Sequence, residues 1–289
     1  MKLTRGEKVF VVCNDLFMLI VAAICVLPVL HIFARAFSSA QAIGQGRVIF
    51  WPVDFHIAGI TYILEETSFL VSLRNSLVIT AIGTVLAVFC AILTAFALAQ
   101  KEMKGRTFFL YLYVFCMIFH AGIVPNYFLM KRLGFLNTLW CLILPAVVNP
   151  YYILVLKRGF ETFPSSLKEA AQIDGASWFT ILWQIAVPVS KAQIATIVVF
   201  YSVHYWNKYT DALIYVTDNV KSPITMFLYN MVKNTNIVDF TGIYDELPYI
   251  SQDVFNAATV LLAVLPILAV YPLMQRYFVR GTMAGAIKG

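Results

Sequence analysis

The chain has 289 residues, of which 61% are hydrophobic and only 12% charged, and it carries a formal net charge of +6. A soluble domain has roughly 25% charged residues, so most of this surface must face something other than water, and a bilayer fits. A nucleic-acid footprint would gather its cations on one water-facing surface; here the basic residues read as markers of membrane edges, which excludes nucleic acid as a partner.

Lys2, Arg5 and Lys8 precede a first apolar run, Leu16–Phe33, and Ala34-Arg35-Ala36 has the look of a signal-peptide cleavage site. A signal h-region is usually ~7–15 residues. This run is longer and more spans follow, so a retained first helix is expected. A polar loop over Arg35–Ser68 comes next, ending in Glu65 and Glu66. Five further apolar runs span about Phe69–Ala99, Phe108–Met130, Leu139–Leu156, Ser190–Trp206 and Phe255–Phe278. Each is long enough to cross, with tilt where needed. In lipid the backbone must satisfy itself, which leaves helices or closed barrels, and the alternation a barrel strand needs is absent. The expected fold is therefore all-α: one polytopic domain over residues 1–289 with about six transmembrane helices. Pro28, Pro125, Pro145, Pro150, Pro266 and Pro272 lie in or beside the runs, where kinked helices tolerate them. The acidic segment Asn207–Val254 is predicted to hold short helices at the membrane edge.

The connections set the orientation. With the N-terminus inside, one side collects Lys2, Arg5, Lys8, Lys101, Lys104, Arg106, Lys157, Arg158, Lys168, Arg276, Arg280 and Lys288. The other holds Arg35, Arg47, Lys131, Arg132, Lys208, Lys221 and Lys233. The bias places both termini in the cytoplasm, with Lys131-Arg132 running against it.

Between the fourth and fifth runs, Glu161–Pro188 is too polar to cross and too ordered in pattern to be slack. Ser166 and Glu169 have capping-box spacing; Ala170, Ala171 and Gln172 propagate a helix; Gly175 ends it in the left-handed conformation. A second helix starts at Ser177, with Trp178, Ile181, Leu182 and Ile185 on one face suited to a membrane interface. Pro188 and Ser190 open the next span. The expectation is a capped helix, a glycine corner and an interfacial helix, all facing the cytoplasm.

Glu169-Ala170-Ala171, three residues, Gly175, nine residues and Ile185-Ala186-Val187-Pro188 resemble the EAA loop of bacterial ABC importer permeases, with Val187 where the family pattern has leucine. Asn75-Ser76, Gly122-Ile123-Val124-Pro125, Leu133 to Thr138 and the tail from Arg276 to Gly289 are similar to the shorter subunit of carbohydrate-type, maltose-like permeases, nearest those for complex oligosaccharides, some bearing uronate. The resemblance implies the type I importer permease fold in a bacterial inner membrane. Its first loop helix would be a coupling helix seated in a groove of the ATP-binding subunit, with Ser166, Glu169, Ala170, Ala171, Asp174, Gly175 and Pro188 carrying the coupling. The partners implied are a second homologous permease, two ATPase subunits, an extracytoplasmic sugar-binding protein, membrane lipid and an oligosaccharide. The tail would reach between the two ATPases.

The chain has no G-x-x-x-x-G-K-[ST] loop, so ATP and Mg²⁺ belong to partner subunits, and no cofactor or enzyme activity is expected here. Cys13, Cys25, Cys90, Cys116 and Cys141 sit in apolar runs and read as small buried hydrophobes. His31, His56, His120 and His204 lack ligand spacing. Glu65 and Glu66, adjacent on a helix, do not face each other and read as solvated. Polar and aromatic residues in or at the mouths of spans are candidates for a sugar pathway: Asn126, Asn149, Tyr152, Tyr201, Tyr205, Trp206 and Asn207. Each also has an ordinary reading as an interfacial anchor or helix bridge. Arg74 is a candidate cation for an acidic sugar, or a snorkelling anchor. Importers of polyamine or phosphate share the loop, and a membrane enzyme or an assembly protein stands as the alternative outside transport.

Overall fold

A computed structural model describes residues 4–66, 68–162, 165–233 and 251–268, and among these all regular structure is helical. Helix α1 (Arg5–Ala36) starts at Thr4, whose hydroxyl accepts from the Glu7 amide while the Glu7 carboxylate accepts from the Thr4 amide at 2.7 Å. This reciprocal pair satisfies two otherwise orphaned donors. Short helices α2 (Ala40–Gly44) and α3 (Ala58–Glu66) follow, and α4 (Phe69–Ala99) coincides with the predicted second span. By length and composition α4 and the Gly6–Ala36 part of α1 can each cross a bilayer unbroken.

The next three predicted spans are not straight. The third is divided into α5 (Arg106–Ile118) and α6 (Ile123–Arg132), bent by 112°. Phe119 is extended and Gly122 has φ 82°, a left-handed value that glycine adopts without a Cβ penalty. The fourth comprises α7 (Trp140–Ile143), a 3₁₀ turn Leu144–Ala146 and α8 (Pro150–Glu161), with a 45° bend. Pro145 and Pro150 each remove a backbone donor there. Then come α9 (Ser165–Ile173), α10 (Trp178–Thr180), a π-helical turn Ile181–Ala186 and α11 (Val187–Val189). An 84° bend separates this stretch from α12 (Lys191–Trp206). Helices α13 (Tyr209–Tyr215) and α14 (Ile224–Lys233) lie where short helices were expected. Helix α15 (Gln252–Leu268) begins the last predicted span, whose end near Phe278 lies outside the described residues.

The chain divides into two compact units. In the unit of Met1–Phe69 and Leu228–Pro266, α1 and α15 are tied by an Arg35–Asp253 ion pair at 2.7 Å. Gly59 of α3 lies against Val254, and the rings of Tyr62 and Phe255 meet edge-on at 6.0 Å. The Ser38 hydroxyl donates to the Ala34 carbonyl at 2.6 Å and accepts from the Val53 amide at 3.0 Å, which closes the loop after α1.

In the unit of Leu70–Phe227 and Ile267–Gly289, α4 carries Gly83, Ala87, Ala91 and Ala95 at four-residue spacing. The three alanines are fully buried, and such a small-residue stripe lets neighbouring backbones approach. Phe96 extends the contact, edge-on to Phe160 of α8 at 5.8 Å and to Trp178 of α10 at 6.3 Å. Polar side chains of α4 hold the loop before α14: Asn75 Nδ2 donates to the Val220 carbonyl at 2.8 Å and the Ser222 carbonyl at 3.1 Å, and Ser76 Oγ accepts from the Ile224 amide at 2.7 Å. Asn137, at φ 57°, accepts from the Asp218 amide and donates its own amide to the Tyr215 carbonyl at 2.9 Å. These bonds satisfy irregular backbone that lipid could not.

Candidate functional site

The elbow around Gly175 is built as the sequence pattern predicts at its corner. Gly175 has φ 78°; its amide donates to the Gln172 carbonyl at 3.1 Å, and the Ala176 amide donates to the Ala171 carbonyl at 2.9 Å. That pair of bonds is a Schellman motif, which satisfies the last carbonyls of α9. The start differs from expectation. α9 begins at Ser165, so Ser166 lies in its first turn, and a residue already helical cannot act as the N-cap of a Ser166–Glu169 box.

Beyond the corner, Ser177 is the N-cap of α10, accepting from the Thr180 amide at 3.2 Å, as predicted. The expected single apolar face is altered by the π turn. The buried residues are Ile181, Leu182 and Ala186, while Trp178 is half exposed and Ile185 only partly covered. A wider turn shifts the register of the face and relieves the clash between Pro188 and the turn before it. Pro188 lies in α11, and buried Ser190 marks the 84° bend into α12.

One face of α9 is anchored. Ala171 joins the core around α4 and α8. Lys168 donates to Glu102 at 2.9 Å, and its ammonium lies 5.3 Å from the Trp178 ring centroid. That hydrogen bond holds the Glu102 carboxyl below its ordinary range. At the root of the elbow Glu161 collects three cations: Arg106 and Lys157, each at 2.8 Å, and Arg158 at 3.7 Å. Arg106 Nε also donates to the Leu98 carbonyl at 2.8 Å. The end of α4, the start of α5 and the end of α8 are thus pinned together where α9 departs. The side away from this anchor is uncovered: Ala170, Ile173 and Asp174 are exposed, Ile173 to 86%, while Glu169 and Gln172, also exposed, line an open recess with Lys168, Glu102 and Glu161.

The pathway candidates separate into three groups. Tyr201 and Tyr205 of α12 are fully buried, and their hydroxyls donate to the carbonyls of Val147 at 3.4 Å and Ile143 at 3.0 Å. These carbonyls flank the 3₁₀ turn between α7 and α8. Asn149 caps α8, accepting from the Tyr152 amide, and its own amide donates to the Tyr201 hydroxyl. Trp206 is also buried. Tyr152 and Asn207 instead line an open recess with Phe200, His204, Lys208 and Asp211. Asn126 is exposed on α6 away from that recess. Lys208, ion-paired with Asp211, is the feature that reading by sequence missed. Its three-residue spacing from Asp211 is visible in the chain, but both were read as charges of a polar connection. The tail Arg276–Gly289 lies outside the described residues, and Arg74 has no ion pair among them. No cluster of metal-ligating side chains occurs among the described residues.

Known proteins resemble the chain over almost its full length. Protein LplC of Bacillus subtilis (strain 168) is 37% identical over 286 residues, 99% of this chain and 97% of that protein. The polygalacturonan/rhamnogalacturonan transport system permease protein YtcP of the same organism is 35% identical, covering 94% of this chain and 96% of its own. A chain from the crystal structure of a bacterial ABC transporter involved in the import of the acidic polysaccharide alginate superposes with a TM-score of 0.88 at 27% identity, covering 96% of this chain and 99% of that one. The profile of the family described as binding-protein-dependent transport system inner membrane component matches residues 83–284. A chain helical throughout the regular structure of its described residues, with bilayer-length helices, a glycine-cornered elbow and these relatives, belongs to that family of inner-membrane transport components.

Proposed function

We propose that this chain is one of two permease subunits of an ATP-driven importer that carries uronate-bearing oligosaccharides delivered by an extracytoplasmic binding protein. The second permease completes the pathway, and two ATPase subunits, with their ATP and Mg²⁺, dock on the cytoplasmic side. Both termini face the cytoplasm, in keeping with the distribution of Lys and Arg. The chain itself does no covalent chemistry.

The observation that carries the coupling assignment is the asymmetry of α9. Its Lys168 and Ala171 side is fixed to the unit that holds α4, α8 and α12, its Ala170, Ile173 and Asp174 side is bare, and Glu169 is exposed at the edge between them. A helix bare on one side and anchored on the other passes a push at Ile173 to the spans instead of absorbing it. Glu169, Ala170, Asp174 and Gly175 form the docking face and corner; Ala171 is the buried anchor, and Ser166 and Pro188 shape the two ends. The class of substrate is supported by the names of the relatives, which concern polygalacturonan, rhamnogalacturonan and alginate. Those names also favour sugar over polyamine or phosphate.

The test is reconstitution of the whole transporter in proteoliposomes. Glu169→Lys is expected to leave the chain inserted and assembled, yet abolish the stimulation of ATP hydrolysis by loaded binding protein. Normal uptake and normal stimulation in that variant would remove the coupling assignment.

A further inference from the structure

The recess beside the end of α12 combines three things that a sugar acid requires and that an ordinary lipid-facing groove lacks. It has aromatic walls from Tyr152 and Phe200, hydrogen-bonding groups on His204 and Asn207, and a cation, Lys208. The sixteen residues of α12 advance about 24 Å, and Lys208 follows two residues after the helix ends. Its side chain is only 8% exposed. An ammonium so little exposed is retained where it has a counter-ion. Asp211 is that counter-ion, and at 34% exposure it lies more open to the recess than the lysine does.

The pair is neutral as a unit, so the recess rests without a net buried charge. An ammonium has three donors. Asp211 is the one side-chain partner of Lys208 among the described residues, which leaves donors for a second carboxylate. Tyr152 offers an aromatic face of the kind on which a pyranose ring stacks, and Lys208 an ammonium of the kind that pairs with a carboxylate. Arg74, the cation singled out by sequence, is not among the recess residues.

We infer that the recess of Tyr152, Phe200, His204, Asn207, Lys208 and Asp211 is a carboxylate subsite on the translocation path, in which Lys208 selects uronate-bearing over neutral sugars and Asp211 holds it in position. This inference rests on the proposed import of acidic oligosaccharide, and it names the residue of this chain that reads the acid.

The experiment uses the complete transporter with its binding protein in proteoliposomes. It compares uptake of a galacturonate trisaccharide with that of its carboxyl-reduced, neutral counterpart. The readout is the ratio of the two kcat/KM values, in which effects of expression or folding cancel. Lys208→Met is expected to lower the acidic-to-neutral ratio about tenfold, the loss of one charged hydrogen bond. Lys208→Arg should restore most of it. The double variant Lys208→Met with Asp211→Asn, which leaves no carboxylate without its cation, should show the same lowered ratio. A ratio unchanged in Lys208→Met, with the wild type preferring the acid, overturns the subsite alone. A wild-type transporter that prefers the neutral sugar overturns the acidic-substrate reading, and the subsite with it, while leaving the importer assignment standing.

Discussion

The ring of Tyr205 lies so close to Gly83 that a Cβ on the glycine would sit 2.7 Å from ring carbons Cε1 and Cζ. Tyr205 cannot swing away, because it is buried and its hydroxyl is bonded to the Ile143 carbonyl. Gly83→Val is therefore expected to destabilise the packing of α4 against α12 by about 1–3 kcal/mol, as overpacked cores do. Thermal unfolding of the detergent-purified chain measures this. In a Tyr205→Leu background the penalty should shrink, since the two positions are in contact and their effects do not add.

Tyr205→Phe keeps the ring and removes the donor. The Ile143 carbonyl then has no hydroxyl partner in a site closed to water, a loss of about 1–3 kcal/mol. Tyr201→Phe should cost less, because both of its hydrogen bonds are long, at 3.4 Å. The same thermal assay ranks the two. Equal stability of Tyr205→Phe and wild type would show that the break between α7 and α8 has another source of donors.

At Gly175 nothing lies within 4 Å of the position a Cβ would take, so any effect of substitution is conformational. Asparagine tolerates φ near +78° better than a β-branched residue. Gly175→Asn should retain coupled uptake, whereas Gly175→Val should lose about 1–2 kcal/mol at the corner, straighten the elbow and uncouple ATP hydrolysis from transport. Uptake per ATP hydrolysed distinguishes them.

The Glu102–Lys168 pair gives the anchoring of α9 a defined pH dependence. Its hydrogen bond to Lys168 lowers the Glu102 carboxyl from the ordinary 4.5 in the folded state. The contribution of the pair is therefore full above pH 4.5 and is lost as pH falls through the lowered value. Hydrogen exchange of the α9 amides, corrected for intrinsic rate, should be insensitive to this pair between pH 6 and 8. Glu102→Gln should speed it modestly at neutral pH, because the Glu102 carboxylate is largely exposed and screened.

Much of the fold can be read directly from the chain. Residues 69–99 are predominantly apolar, with Arg74 their one charge, and form α4 over that range; Gly175 and Ser177 stand where a left-handed corner and an N-cap are required, and both take those roles. The bends were not readable. Phe108–Met130 passes every test for a single span, yet folds back on itself at Gly122, since hydropathy sums over a window and is blind to one dihedral angle. Nor could composition tell Tyr152, which lines the recess, from Tyr201 and Tyr205, which serve the backbone.

The sequence by itself determined the solvent, the helical class, the number of apolar crossings to expect and the elbow that marks the family. All of these follow from local quantities: residue polarity, period and the conformational freedom of single residues. Only the tertiary structure decided which aromatic hydroxyls are committed to the broken fourth span, which side of α9 is left bare, and that Lys208 stands with Asp211 in a recess beside Tyr152. The reason is that each depends on partners far apart in the chain, some more than 50 residues away, such as Tyr205 and the Ile143 carbonyl. No local pattern records which buried carbonyl a hydroxyl will find.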